Sequence, residues 1–179
     1  MKTKHTQPWL FPVVSLTLFA LAVSAAISAE PSPSAASRLV GTWKLVAIEE
    51  HDAGGKLVEP VDFGPEPAGV LTYDASGHMA AQAMRRGRPR LASEDVHRAT
   101  PEEAKTAFVG YAAYFGTYEV HEREGIVIHH VEGSLLPNWE GGEQKRKFTL
   151  SGDKLILEPP PFKANGEKHS RRLTWQRVQ

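Results

Sequence analysis

The chain has no cysteine among its 179 residues. That excludes a disulfide framework, a thiolate site and a lipid-modified N-terminal cysteine, so packing alone must hold the fold. Net charge is missing too: 21 Lys and Arg balance 21 Asp and Glu, and no global basic excess points to nucleic acid. There is no phosphate-cradling Gly-rich loop, dinucleotide fingerprint or nucleophile elbow, so nucleotide-driven chemistry is not expected. The zinc spacings H-x-H and H-E-x-x-H are absent as well, and neither a metal nor a cofactor is expected.

What is present begins with an apolar run. Lys2 and Lys4 lead into Trp9 to Ala26, and small residues continue to Ala29, the pattern of a secretory signal peptide over residues 1–29. Pro12 interrupts the run and no charged stop-transfer cluster follows, which argues against a membrane anchor. The expectation is cleavage between Ala25 and Ala29, a periplasmic or secreted protein, and no stable membrane insertion afterwards. Residues 30–37, EPSPSAAS, are small, polar and Pro-rich, as in a disordered leader, which places one domain at 38–179.

From Leu39 onward, short runs rich in β-branched and aromatic residues end in Gly, Asp or Asn. GVLTYDASGHMAAQ, GTYEVHEREGIVIHHVEG and KFTLSGDKLILEP each carry a hairpin signal, with turns at Ala75-Ser76-Gly77, Glu122 to Gly125 and Ser151-Gly152-Asp153. With an opening run to Glu50 and a closing run from His169 to Val178, this makes about eight strands, enough for an antiparallel sheet to close on itself. One helix interrupts them between the third and fourth strands. In ATPEEAKTAFVGYAAYFG, Thr100 is the N-cap, Pro101 takes the first helical position, Glu103 completes a capping box, and Gly110 or Gly116 stops the helix, which could plug or cover one barrel end. The preceding loop, with Arg85, Arg86, Arg88 and Arg90, is either a solvated loop or an attractor of anionic surfaces.

Gly41-Thr42-Trp43 on the first strand and Arg177 on the last resemble the Gly-x-Trp signature of lipocalins and its partner arginine. Together with GVLTYDASGHMAAQ, AYFGTYEV and IHHVEGSLLPNW, in this order and spacing, the chain resembles the lipocalin-like domain family from Leu39 to Arg177. The resemblance implies a mainly β, calycin-type barrel with an internal cavity, in which Trp43 closes the base under Arg177. It implies no activity.

Two adjacent histidines stand on one predicted strand. Side chains alternate along a strand, so His129 and His130 face opposite ways and cannot share a metal. Ile126, Ile128, His130 and Glu132 lie on one face, and Val127, His129, Val131 and Gly133 on the other; both are mostly apolar, so periodicity does not say which face is inward. His130 and Glu132 are spaced to share a hydrogen bond, as a general base and its orienting carboxylate would. His78 and His121 are candidates to extend a metal site only if strands bring them together. The structural alternative has one histidine satisfied inside by Glu132 or a tyrosine and the other on the outer wall; in a further reading the inward one of His129 and His130 binds the ligand.

Tyr73, Gln82, Tyr114, Tyr118 and Arg146 are candidate polar handles for a cavity, and Trp139 a rim residue or apolar gate. The expected function is binding of a small, largely apolar or amphipathic molecule in the barrel. The alternatives are an isomerase- or cyclase-type enzyme with catalytic candidates His129, His130 and Glu132, and an envelope interaction module using the arginine loop.

Overall fold

The computed structural model describes Met1 and residues 34–179. The expected signal peptide and residues 30–33 of the expected leader lie outside these, Met1 excepted. Within the described residues, Ser34 accepts from the Ser37 amide and caps a short helix α1 (Ala35–Leu39), whose Leu39 is fully buried. Residues 35–37 of the expected leader belong to this helix, which is held by the Ser34 cap and the burial of Leu39.

Ten strands follow: β1 (Gly41–His51), β2 (Leu57–Val58), β3 (Pro67–Tyr73), β4 (His78–Arg85), β5 (Tyr111–His121), β6 (Ile126–Ser134), β7 (Glu143–Ser151), β8 (Lys154–Glu158), β9 (Phe162–Ala164) and β10 (Glu167–Arg177). β1 pairs with both β3 and β10, and β10 with β8, so eight strands close into an antiparallel barrel; β2 and β9 are short additions. The three expected turns join β3 to β4, β5 to β6 and β7 to β8.

Helix α2 (Pro101–Val109) lies between β4 and β5, with the Thr100–Glu103 capping box complete and Gly110 as C-cap. It buries none of its residues, so it does not plug the barrel; Phe108 and Val109 stand at the rim of the mouth.

The closed end carries the signature residues. Trp43 is 0 % exposed and donates its Nε1–H to the Leu39 carbonyl at 2.9 Å. Burying ~200 Å² of indole at ~25 cal/mol per Å² contributes about 5 kcal/mol as an upper figure. The Arg177 guanidinium lies 4.1 Å from the Trp43 ring and donates to the carbonyls of Val40 and Arg38. Gly41, at φ 134°, leaves room for it: an added Cβ would fall 2.5 Å from Arg177 Nη1.

Candidate functional site

β6 settles which histidine is inward. Val127, His129 and Val131 are 0 %, 0 % and 3 % exposed and face the barrel interior, whereas His130 and Glu132 stand on the other face of the strand. His130 lies on the outer wall, 3.9 Å from Glu119 and 3.8 Å from Glu143. The expected His130–Glu132 pair does not form: opposite His130, the ladder instead places Glu143 on β7. Register explains the rest, since a bulge between Phe115 and Gly116 leaves Glu132 without a partner on β5.

His129 is held by two phenols. Its Nε2 lies 2.7 Å from Tyr73 Oη and its Nδ1 2.8 Å from Tyr114 Oη. Tyr73 comes from β3 and Tyr114 from β5, so three strands converge on one imidazole. Burial, with the nearby Arg146 and His130 charges adding to it, pushes the His129 pKa down to about 3, and the ring is neutral at physiological pH. Burial likewise raises the Tyr73 and Tyr114 pKa values, Arg146 opposing the rise in both, so both phenols stay protonated.

Tyr118 packs its ring 4.7 Å from Tyr73 and donates to the Asp74 carbonyl. Trp139 sits on the 3₁₀ turn Pro137–Trp139 between β6 and β7 and meets Tyr114 edge-on at 5.5 Å. Arg146 belongs to the inward row of β7 with Gln144, Phe148 and Leu150. Gln82 borders the inner cavity, but the residue is largely exposed and its Oε1 accepts from the Tyr111 hydroxyl on the outer wall.

The barrel interior is not filled. A cavity of about 90 Å³ is lined by Leu71, Tyr114, His129, Arg146, Leu173 and Trp175, among others. It adjoins a mouth of about 510 Å³, with which it shares Phe63, Ala112, Trp139, Arg146, Pro159 and Arg171 as wall residues. A larger hollow of about 830 Å³ is rimmed by Glu49, Lys145, Lys147, Glu158 and Arg172 and does not reach His129.

Sequence reasoning missed a buried charged cluster at the mouth. Glu50 on β1 is 0 % exposed and receives two bonds from Arg171 on β10, at 2.8 and 2.6 Å, while His169 Nδ1 lies 2.8 Å from its other oxygen. Arg171 also reaches Asp62 at 3.0 Å and stacks between Phe63 and Phe162. Only the β1–β10 register, which sets Glu50 opposite Arg171, could have revealed it.

The other candidates lie apart. His78 contacts Ser76 and Asp74, and His121 contacts Glu119; among the described residues no three His, Asp or Glu side chains gather as a metal site. In the arginine loop, Arg85 donates to the Val61 and Asp62 carbonyls and Arg88 to that of Ala107, so these two arginines brace the fold.

Residues 40–178 match the lipocalin-like domain family. The chain belongs to that family. Among relatives of this lipocalin-like protein, the 4'-hydroxy-3'-methoxypropiophenone carrier protein of Aspergillus oryzae is 35 % identical over 107 residues, 56 % of this chain and 96 % of the relative. Among solved structures, a lipocalin-like protein from Bacteroides uniformis is similar at TM-score 0.41 and 13 % identity, covering 78 % of this chain and 98 % of that one. An uncharacterized protein from Bacteroides eggerthii is similar at TM-score 0.39 and 14 % identity, over 78 % and 99 %.

Proposed function

We propose that this lipocalin-like protein carries a small, largely apolar molecule in its barrel. The observation that supports it is an unfilled inner cavity adjoining a wider mouth, both walled mainly by apolar and aromatic side chains with a few polar groups among them. The name of the Aspergillus oryzae relative, a carrier of a small aromatic molecule, supports the same reading. His129 fits a recognition or scaffolding role better than acid/base catalysis: both ring nitrogens are engaged by tyrosines, and a pKa of about 3 leaves it a weak base at neutral pH.

Titration with the uncharged fluorescent probe N-phenyl-1-naphthylamine tests this. One saturable site that Ala112→Trp removes is the expected result, because Ala112 lines both the cavity and its mouth. Failure of the probe to bind, or binding indifferent to the tryptophan, contradicts it.

Export to the periplasm or the medium belongs to the same proposal and rests on the Lys2, Lys4 and Trp9–Ala26 pattern. The intact mass of the protein recovered from its host checks it: loss of the first 25 to 29 residues is expected, and a full-length cytoplasmic product contradicts it.

A further inference from the structure

The hydrogen bonds around His129 have a direction, and the direction determines what the cavity offers a ligand. A neutral imidazole donates from one ring nitrogen and accepts at the other. Tyr73 is 1 % exposed, and among the described residues its hydroxyl has no partner except His129 Nε2. If Nε2 carried the proton, the Tyr73 oxygen would accept it and its own hydrogen would be buried with no acceptor, an arrangement folded proteins avoid. Tyr73 therefore donates to Nε2, the proton sits on Nδ1, and Nδ1–H donates to Tyr114 Oη. The Tyr114 hydrogen then remains free for the cavity that Tyr114 lines.

Two more donors line the same space. Trp175 is 3 % exposed, and its Nε1–H has no acceptor among the described residues. Arg146 bonds the Lys145 carbonyl and Gln144 Oε1, but among the described residues it has no carboxylate within ion-pair distance. Arg171, the other arginine on the cavity wall, is neutralised by Glu50 and Asp62. No Asp or Glu lines the inner cavity.

We infer that the inner cavity is a donor site, built from the Tyr114 hydroxyl, the Trp175 indole N–H and the Arg146 guanidinium, which selects a molecule whose leading end carries an acceptor oxygen, a carbonyl or a carboxylate. The inference rests on the carrier reading above and adds the chemistry of the occupant. At about 90 Å³ the inner cavity admits a small polar head. The apolar remainder lies in the mouth among Phe63, Phe108, Trp139 and Phe162.

Two experiments test it. In the unaltered protein labelled with ¹⁵N-histidine, NMR reads the His129 tautomer directly: protonation at Nδ1 is expected, and protonation at Nε2 overturns the inference. Acetophenone and ethylbenzene, similar in size and differing in the carbonyl, are then titrated against the same protein, with the tryptophan indole resonances as the signal. Acetophenone binds about tenfold more tightly, one net hydrogen bond's worth, and Tyr114→Phe shrinks the difference to about twofold. Benzoate in place of acetophenone separates the two acceptors: tighter binding of benzoate assigns a carboxylate facing Arg146, and the reverse a neutral carbonyl. Equal affinities for acetophenone and ethylbenzene overturn the donor assignment and leave the carrier reading standing. Failure of these probes and of N-phenyl-1-naphthylamine alike overturns both.

Discussion

His129 Nε2 and Tyr73 Oη lie 2.7 Å apart between β6 and β3, and Tyr114 meets the other ring nitrogen at 2.8 Å, so one neutral imidazole ties three strands together across the barrel. A buried polar network of this kind specifies one arrangement because every alternative strands a donor or an acceptor.

The first consequence is a pH dependence. The folded pKa of His129 lies at about 3, below the ordinary 6.5, so between these values the unfolded chain binds more protons than the folded one. The contribution of His129 to stability is complete above pH 6.5 and declines as pH falls towards 3. Urea unfolding at pH 7 and at pH 4.5 checks it: the native protein loses more stability over that interval than His129→Phe does, and equal losses contradict the assignment.

The same position separates the two adjacent histidines. His129→Ala opens a hole and leaves two buried phenols without their partner, at a cost of roughly 3–5 kcal/mol. His130→Ala, on the outer wall, changes stability by less than about 1 kcal/mol. Urea midpoints of the two variants measured side by side test the contrast, and similar values would place the wrong histidine inside.

Which histidine faces inward was not legible in the sequence, because the strand is apolar on both sides: Ile128, on the face opposite His129, is itself only 8 % exposed. The hairpins were legible from their turn residues, the helix from Thr100, Pro101 and Glu103, and the barrel end from Gly41, Trp43 and Arg177, since each is local or a short motif. Tyr73 and Tyr118 were found as polar residues in apolar strands, whereas Gln82, equally polar, faces solvent. The Glu50–Arg171 contact joins residues 121 apart and depends on strand register, which no local pattern encodes.

At the closed end, Gly41→Ala forces a Cβ against the Arg177 guanidinium and strains a φ of 134°. Loss of about 2 kcal/mol or more follows, and Arg177→Met, which releases the Val40 and Arg38 carbonyls and the Trp43 stack, costs about as much. Combining the two tests their coupling: because both act on one contact, the double variant loses clearly less than the two single losses added together, and full additivity contradicts the account.

At the mouth, Arg171→Met leaves Glu50 buried with its main cationic partner gone and costs roughly 3–5 kcal/mol, while Glu50→Gln together with Arg171→Met restores part of it. Thermal unfolding of the three variants reads the order directly; a double variant no more stable than Arg171→Met shows that the carboxylate charge is not what the arginine offsets.

The central claim is that the barrel interior carries a small molecule, and native mass spectrometry of the protein isolated from its own cells tests it most directly. The account predicts one organic adduct per chain, released on denaturation and absent from Ala112→Trp. An adduct retained unchanged by that cavity-filling variant would place the binding elsewhere and contradict the claim.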